Sequence, residues 1–331
     1  MRAAVCRVYG GPEVVRVEEF PAPPVESGQV RVRIGAASVN FPDVLLVADK
    51  YQLTVPTPFV PGSEFAGVVE EVADGVRGVA VGDRVMGTAL VGAFADQVAV
   101  AADAVSPIPA GVDDSRAAAF GVAHRTAFHV LRSVARLEPG EELVVLGAGG
   151  GVGLAAVQLG AELGASVTAV ASSPAKLEAA ASCGARHLIQ HGVGDLRASL
   201  REALPGGADV VVDPVGGDLA EPALRSLHWG GRFVTVGYAS GVIPRIPLNL
   251  VLLKGCRILG FQFRDFAEHA PEELARNDAE LWALLGDGRI VPHIGAVFAL
   301  DDVVAALELV ASGGAVGKVV LEIGAAEGDP G

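Results

Sequence analysis

The sequence predicts an α/β protein with a doubly wound parallel sheet and a second, β-rich domain. From about residue 143 to 263, strand-like and helix-like segments alternate, whereas residues 1 to about 115 contain short strands broken by glycine and proline. A chain of 331 residues is long for a single core. Hydrophobic residues make up 51% of the chain and charged residues 19%, which provides enough apolar side chains for two cores.

Charge and cysteine content narrow the class of protein. The formal net charge of −14 argues against nucleic acid or an anionic membrane surface as the main partner. Cys6, Cys183 and Cys256 lie far apart without metal or redox spacing, which favours a reducing, cytoplasmic location. The chain begins in a strand-like pattern without the apolar core of a signal peptide. The uncharged run at 143–161 contains six glycines, so a strand, turn and helix are expected there rather than a membrane span.

Both ends of the chain are expected to form the β-rich domain. Its strand candidates cover 14–17, 30–34, 65–72 and 97–100, with prolines breaking the chain before Gly62. After residue 263 the pattern predicts a helix at 273–285, strand-like segments at 290–298, a helix at 301–311 and a closing strand at 317–321. This part has no core of its own, so it is expected to return to the first domain, with a separate third domain as the alternative. The predicted division is 1–120 with 264–331, and 121–263.

The middle of the chain is expected to form the parallel sheet. The strand candidates are 143–147, 166–171, 187–189, 208–213, 232–237 and 257–262, and the helix candidates are 117–136, 152–163, 174–183, 195–204 and 218–228. Ser173 followed by Pro174 is typical of a helix start. Six alternating strands make two mononucleotide-binding halves.

A glycine-rich turn follows the first of these strands. Gly147, Gly150 and Gly153 fit the spacing G-x-x-G-x-x-G, whereas the strict spacing G-x-G-x-x-G fails at Val152 and at Leu154. Glycines let the backbone approach a ligand closely, and the start of the next helix points N–H groups and a positive dipole at the same place. The turn is therefore predicted to bind the pyrophosphate of a dinucleotide.

The end of the second strand predicts which dinucleotide binds. In NAD-preferring folds an acidic side chain there accepts from the adenine ribose hydroxyls, but residues 163–177 contain no acid. They contain Ser172, Ser173 and Lys176, whose hydroxyls and ammonium suit a 2′-phosphate. This pattern predicts NADPH as the cofactor. The alternative is that Ser173 only caps a helix and Lys176 is solvated.

Several motifs together resemble one family over almost the whole chain. They are Tyr-Gly-Gly-Pro-Glu at 9–13, Ser-Val-Asn-Phe-Pro-Asp at 38–43, Pro-Gly-Ser-Glu-Phe-Ala-Gly-Val at 61–68, Val-Gly-Asp-Arg-Val at 81–85, the glycine-rich turn at 147–153, Asp-Pro-Val-Gly-Gly at 213–217, Gly-Gly-Arg-Phe at 230–233 and Gly-Lys-Val-Val at 317–320. With these motifs the chain resembles the zinc-free quinone oxidoreductase (ζ-crystallin-like) branch of the medium-chain dehydrogenase/reductase superfamily. The resemblance implies a Rossmann domain inserted in a split GroES-like domain, NADPH in the cleft between them, and a homodimer formed through the sheet edge near 249–260.

The resemblance also implies a set of site residues. It implies cofactor contacts from Gly150, Gly151, Val152 and Gly153 at the pyrophosphate, Ser172, Lys176 and His191 at the 2′-phosphate, Asn40 and Thr126 near the nicotinamide, Gly237, Tyr238, Ala239, Ser240, Phe261, Gln262 and Phe263 on the far side, and Lys318. The chain departs from many relatives at three places: His191 replaces a common tyrosine, Gly149 replaces a common alanine, and Ala-Ser-Gly-Gly-Ala at 311–315 stands where an arginine often lies.

The sequence contains candidate proton-transfer groups but no zinc ligand set. No metal site is expected, because the neighbourhoods of Asn40 and Ser63 lack the Cys and His ligands of zinc-dependent relatives. His187 and His191 have a four-residue spacing that suits zinc on a helix, but they fall in a short predicted strand. Without zinc little polarises an alcohol, so reduction of an electrophilic acceptor is expected. Asn40 and Tyr51 are the catalytic candidates. Tyr51 could stack on a planar substrate or donate a proton, or it could be a loop tyrosine without a chemical role.

Three functions fit these features. The first is an NADPH-dependent quinone oxidoreductase, in which the protein orients the reactants and excludes water. The second is an enoyl reductase that acts on a 2-alkenal, enone or enoyl thioester, with Tyr51 or water as proton source. The third is an NADPH-binding protein without turnover. Because this fold carries many substrates, the pocket must decide the acceptor.

Overall fold

The computed structural model describes residues 1–323. Contacts divide the chain into two compact units, Met1–Val122 with the segment that begins at Ile294, and Ala123–His293. The sequence placed residues 264–293 in the first domain, whereas the contacts place them in the second unit. Ion pairs explain this correction, since Arg125 binds Asp278 and Arg132 binds Glu280 within the second unit.

The described residues contain fifteen strands. They are β1 (Arg2–Cys6), β2 (Val15–Glu19), β3 (Gln29–Val39), β4 (Glu64–Val72), β5 (Arg84–Thr88), β6 (Gln97–Ala101), β7 (Val105–Pro107), β8 (Glu142–Leu146), β9 (Ser166–Ala171), β10 (His187–Gln190), β11 (Ala208–Asp213), β12 (Leu227–Thr235), β13 (Arg257–Gly260), β14 (Ile294–Ala299) and β15 (Lys318–Glu322).

Eleven α-helices connect these strands within residues 1–323. They are α1 (Phe41–Val47), α2 (Asp114–Ala118), α3 (Gly121–His129), α4 (Gly151–Glu162), α5 (Pro174–Ser182), α6 (Leu196–Ala203), α7 (Ala220–Ser226), α8 (Leu248–Lys254), α9 (Phe263–His269), α10 (Pro271–Gly286) and α11 (Val303–Ala311). A π-helical turn at Val130–Val134 follows α3. Across the described part of the chain, none of the helices combines the length and apolarity that a bilayer span requires.

The first unit is built around a seven-stranded sheet. Its order is β14-β15-β3-β4-β5-β7, with β6 also paired to β3, and β1 and β2 form a separate pair. Val30, Val32 and Ile34 alternate along β3 with more exposed arginines, so one face of the strand enters the core. β15 pairs antiparallel with β3, Val319 lying opposite Val39. The closing strand therefore returns to the N-terminal part, as its lack of a separate core predicted.

The second unit contains a six-stranded parallel sheet in the order β10-β9-β8-β11-β12-β13. Counted from β8, this order is 3-2-1-4-5-6, the doubly wound arrangement of the Rossmann fold. Leu143, Val144 and Val145 of β8 are fully buried, since helices cover both faces of such a sheet. The order reverses between β8 and β11, and ligands bind outside the carboxyl ends of the strands at that point. The predicted α/β class is confirmed.

Candidate cofactor site and active site

The glycine-rich turn joins β8 directly to α4. Gly147 has φ of 60°, a left-handed conformation that favours glycine. A Cβ on Gly153 would lie 2.0 Å from the carbonyl oxygen of Gly147, so only glycine lets the helix start pack against the turn. Gly150 precedes α4 and provides no side-chain cap. The N–H groups of Gly151, Val152 and Gly153 therefore begin the helix without a capping side chain, as an anion site requires.

Three predicted phosphate ligands lie together beyond β9 and β10. Lys176 Nζ donates a hydrogen bond to Ser172 Oγ at 3.2 Å. His191 follows β10, and its backbone N–H donates to the carbonyl of Ala171 at 3.0 Å. Burial and the positive charge of Lys176 lower the pKa of His191, and burial lowers the pKa of Lys176. A hydroxyl, an ammonium and an imidazole thus lie together, and this set of donors suits the oxygens of a phosphate monoester.

Two neighbouring residues explain how this cluster is built. The Ser173 side chain accepts from the backbone N–H of Lys176 at 3.4 Å and caps α5, so the capping role considered for Ser173 is confirmed. A Cβ on Gly149 would lie 2.3 Å from Cβ of Lys176. The glycine at 149 therefore makes room for the lysine stem over the turn.

The loop after β12 forms another part of the predicted cofactor surface. Within 237–240, Ala239 N–H donates to the carbonyl of Pro214 at 3.1 Å, and Ser240 N–H donates to Val215 at 3.0 Å. Buried Asp213 shapes the facing loop by accepting from Val215 and Gly216 N–H, each at 2.8 Å. These bonds hold Gly237, Tyr238, Ala239 and Ser240 at the carboxyl edge of the sheet.

The segment after β13 packs against α3. The rings of Phe261 and Phe263 lie 6.4 and 5.7 Å from the buried ring of His129, measured between centroids. The Arg125 guanidinium lies 4.7 Å from the centroid of Phe263 and holds Asp278 through bonds of 3.0 and 2.7 Å. Gln262, the middle residue of the predicted segment 261–263, caps α9. Thr126, which is half-buried, lies on α3. The structure therefore fixes this segment through contacts that the sequence did not predict.

In the first unit, the side chain of Asn40 is held on all sides. Its Oδ1 accepts from Lys318 Nζ at 2.6 Å, and its Nδ2 donates to Glu64 Oε2 at 3.1 Å and to the carbonyl of Ser38 at 3.3 Å. Lys318 Nζ also lies 3.0 Å from Glu64 Oε2. Lys318, predicted to bind the cofactor, is 4% exposed and bonds to Asn40 and Glu64.

A second buried carboxyl lies beside Asn40. Asp43 Oδ2 accepts from the backbone N–H of Asn40 at 2.7 Å. Burial raises the pKa of Asp43 to about 7, although the Asn40 N–H, the Ser63 hydroxyl and the Lys318 charge oppose it. Tyr51 is half-buried, and burial followed by the charge of Asp43 raises its pKa. The sequence analysis did not single out Asp43, although the motif at 38–43 contains it.

The residues around Asn40 do not fit zinc. Within residues 1–323, no group of three or more His, Cys, Asp or Glu side chains is placed to hold a metal ion. Glu64 is already neutralised by the ammonium of Lys318. His187 lies on β10 and His191 just beyond it, so their four-residue spacing separates them by about 13 Å along the chain.

Comparison with known proteins agrees with this geometry. The alcohol dehydrogenase GroES-like domain family matches residues 26–110, and the zinc-binding dehydrogenase family matches residues 151–278. Quinone oxidoreductase-like protein 2 of Bos taurus is 36% identical over 97% of this chain and 92% of its own length. The spectinabilin polyketide synthase system protein NorB of Streptomyces orinoci is 39% identical over 91% of this chain and 13% of NorB.

Solved structures extend the similarity to the whole fold. The Escherichia coli quinone oxidoreductase complexed with NADPH matches with a TM-score of 0.90 at 28% identity, covering 97% of this chain and all of that one (100%). Full-length similarity to quinone oxidoreductases thus accompanies the doubly wound sheet and the glycine-rich turn. The chain belongs to the quinone oxidoreductase branch of the medium-chain dehydrogenase/reductase superfamily and is an oxidoreductase of a family that binds NAD(P).

Proposed function

We propose that this protein is an NADPH-dependent quinone oxidoreductase that works without zinc. The observation that carries the proposal is the cluster of Ser172, Lys176 and His191 at the carboxyl edge of the sheet, beside the uncapped start of α4. That cluster suits the 2′-phosphate, and the helix start suits the pyrophosphate. The similarity to a quinone oxidoreductase complexed with NADPH supports the same cofactor.

The chain's own residues would bind and orient the reactants. Gly150 to Gly153 would provide backbone donors. Lys176 would oppose the charge of the extra phosphate, and Ser172 and His191 would donate hydrogen bonds to it. Among the remaining predicted contacts, the loop 237–240 is held by the backbone hydrogen bonds described above. Phe261 and Phe263 are held by ring packing, and Thr126 lies on α3. When bound, NADPH would supply a hydride to an electron-poor acceptor. The protein would accelerate this transfer by orienting the reactants and excluding water from the pocket.

Replacing Lys176 with alanine tests the choice of cofactor. We expect NADPH to bind about 10- to 100-fold more weakly and NADH to bind as before, because only NADPH carries the phosphate that the ammonium neutralises. Fluorescence titration with both cofactors measures the two dissociation constants. Arg201→Ala, which removes an exposed cation on α6, is the matched control. Equal effects on NADH and NADPH would contradict this assignment.

NADPH oxidation with two acceptors tests the reaction. We expect an ortho-quinone to be reduced, and a short 2-enoyl thioester to be reduced more slowly or not at all. Turnover of the thioester alone would instead favour an enoyl reductase. Half-buried Tyr51 keeps this second function open, since enoyl reduction needs a proton and a phenol can donate one. Tight NADPH binding without turnover of either acceptor would favour a non-catalytic binder.

We further propose that the protein forms a homodimer through the edge strand β13. Large apolar side chains beside this edge are exposed, among them Leu248 at 77%, Leu252 at 81% and Trp229 at 80%. Exposed apolar side chains grouped at an unpaired strand edge are typical of an interface.

The three cysteines are unpaired in the structure, which supports a cytoplasmic location.

The variant Leu252→Arg tests the dimer. We expect it to sediment as a monomer at micromolar concentration, because a charge would be buried in the interface without a partner. Sedimentation velocity of the wild type and the variant measures the change. Val193→Arg, at an exposed loop position beyond β10, is the control. A wild-type protein that is already monomeric would refute the interface.

A further inference from the structure

The stem of Lys176 lies over the glycine-rich turn at Gly149. A Cβ at position 149 would lie 2.3 Å from Cβ, 2.4 Å from Cγ and 2.6 Å from Cδ of Lys176. These distances are far below the separation of about 3.5 Å at which carbon atoms come into van der Waals contact. Gly149 is buried and Lys176 is half-buried. The lysine stem therefore occupies the space that a side chain at position 149 would need.

Steric space, and not backbone conformation, makes glycine necessary at position 149. Gly147, two residues earlier in the same turn, has a left-handed φ of 60°, whereas the φ of Gly149 is not positive. Alanine at 149 would therefore meet no left-handed backbone strain. Its effect would come from the contact with Lys176.

Rotation of the lysine side chain cannot relieve this contact, because Cβ moves only with the backbone of α5. The N–H of Lys176 donates to Ser173 Oγ at 3.4 Å, which fixes the start of the helix. On the other side of the contact, the N–H of Ala148 donates to the carbonyl of Val170 at 3.0 Å and ties the turn to β9. A side chain at 149 would therefore push the start of α5, and with it the ammonium of Lys176, away from the turn.

The position of the Lys176 ammonium is thus restricted before any ligand binds. Its stem crosses the turn at Gly149, and its Nζ donates to Ser172 Oγ at 3.2 Å. Burial lowers the pKa of Lys176, which agrees with a stem that the turn covers. A mobile lysine side chain loses much rotamer entropy when it binds an anion, whereas a packed stem has less to lose. The packing therefore favours binding of an anion beside Ser172.

We propose that Gly149 determines the selectivity of this protein for NADPH over NADH, because the absence of a side chain there gives the stem of Lys176 a fixed path across the turn. This inference rests on the proposed cofactor and adds a specificity-determining residue to it. The ammonium of Lys176 would contact the 2′-phosphate, and Gly149 acts by positioning that ammonium. NADH lacks this phosphate, so it gains nothing from the placement of the lysine.

The dissociation constants of Gly149→Ala for both cofactors test the proposal. We expect NADPH to bind about tenfold more weakly and NADH binding to change by less than about twofold, because the displaced group contacts only the 2′-phosphate. In a Lys176→Gly background the same substitution should weaken NADPH binding no further, since both the ammonium and the crowded stem are gone. Gly206→Ala is the control, because position 206 also lacks a positive φ and a Cβ there meets nothing within 4 Å. Equal weakening of both cofactors, or unchanged NADPH affinity, would overturn the proposal.

Thermal unfolding without cofactor tests the packing separately. We expect Gly149→Ala to lower the unfolding temperature by about 2–8 °C, whereas in the Lys176→Gly background the same substitution should cause no such loss. An equal loss with and without the lysine would show that the stem is not the obstacle and would overturn the proposal. A wild-type protein that binds neither cofactor, with the lysine-dependent loss present, would refute the proposed cofactor and the selectivity with it, while leaving the contact between Gly149 and Lys176 in place.

Discussion

Replacing Lys318 with methionine is expected to lower the free energy of unfolding by about 3–5 kcal/mol, the largest stability effect of any single substitution considered. Lys318 is 4% exposed and its ammonium lies 3.0 Å from Glu64, which is 1% exposed. Methionine fills a similar volume but leaves the Glu64 carboxylate buried without its cation. Asn40 also loses the donor to its Oδ1. Denaturant unfolding at pH 7, followed by circular dichroism, measures the change.

Two further variants show whether the unpaired charge causes the loss. The double variant Lys318→Met/Glu64→Gln should recover part of the lost stability, because the carboxylate left without a partner is removed together with the ammonium. Lys50→Met, at an exposed position, should change the unfolding free energy by less than about 0.5 kcal/mol. A Lys318→Met protein as stable as the wild type would show that the ion pair contributes no net stability.

Replacing Gly153 with alanine is expected to abolish measurable NADPH binding and to destabilise the protein. The new Cβ would lie 2.0 Å from the carbonyl oxygen of Gly147, and backbone at such a distance cannot rotate away as a flexible side chain can. Overpacking of this kind costs about 1–3 kcal/mol. The shift of α4 would also move the N–H groups that are proposed to bind the pyrophosphate. Calorimetric titration with NADPH and thermal unfolding measure the two effects.

Gly150→Ala separates ligand approach from packing at the same turn. A Cβ at 150 would have its nearest neighbour at 3.7 Å, an ordinary van der Waals distance, so stability should be retained. NADPH affinity should still fall, because the methyl group stands at the proposed pyrophosphate site. Gly206→Ala, where a Cβ meets nothing within 4 Å, should leave both quantities unchanged. Wild-type NADPH affinity in Gly150→Ala would place the pyrophosphate elsewhere.

The hydrophobic periodicity of the sequence predicted the helices and strands well. It did not predict an interruption of one helix, which a residue distant in sequence causes. One helix was predicted over 117–136, but the structure divides it into α2, α3 and the π-helical turn. Glu64 accepts from the N–H of Val122, and a Cβ on Gly121 would lie 3.2 Å from the same carboxylate. A new helix therefore begins where a carboxylate 58 residues away in sequence accepts from one of its first backbone N–H groups. Local periodicity contains no information about such a partner.

The candidate functional site likewise has one part that a local sequence pattern indicates and another part that it does not. The residues proposed to bind phosphate lie on two contiguous stretches, the turn at 147–153 and the segment 172–176, which a local sequence pattern can indicate. The cluster of Asn40, Glu64 and Lys318 joins residues separated by 24, 254 and 278 positions, which no local pattern reveals. A signal nevertheless existed, since Glu64 and Lys318 each begin a strand whose next three or more residues are uncharged. A charge at such a place needs a buried partner.

The return of β15 to β3 has a consequence for the order of folding during synthesis. The second unit is one contiguous segment, so it can fold as soon as residue 293 has left the ribosome. The first unit begins earlier in the chain, but β15, one of the strands that pair with β3, and the cation for Glu64 are missing until residues 318–322 emerge. During synthesis the N-terminal sheet therefore has an unpaired strand edge, and the Glu64 carboxylate has no cation. Translation therefore completes the second unit before it completes the first unit, whose two segments flank the second unit in the sequence.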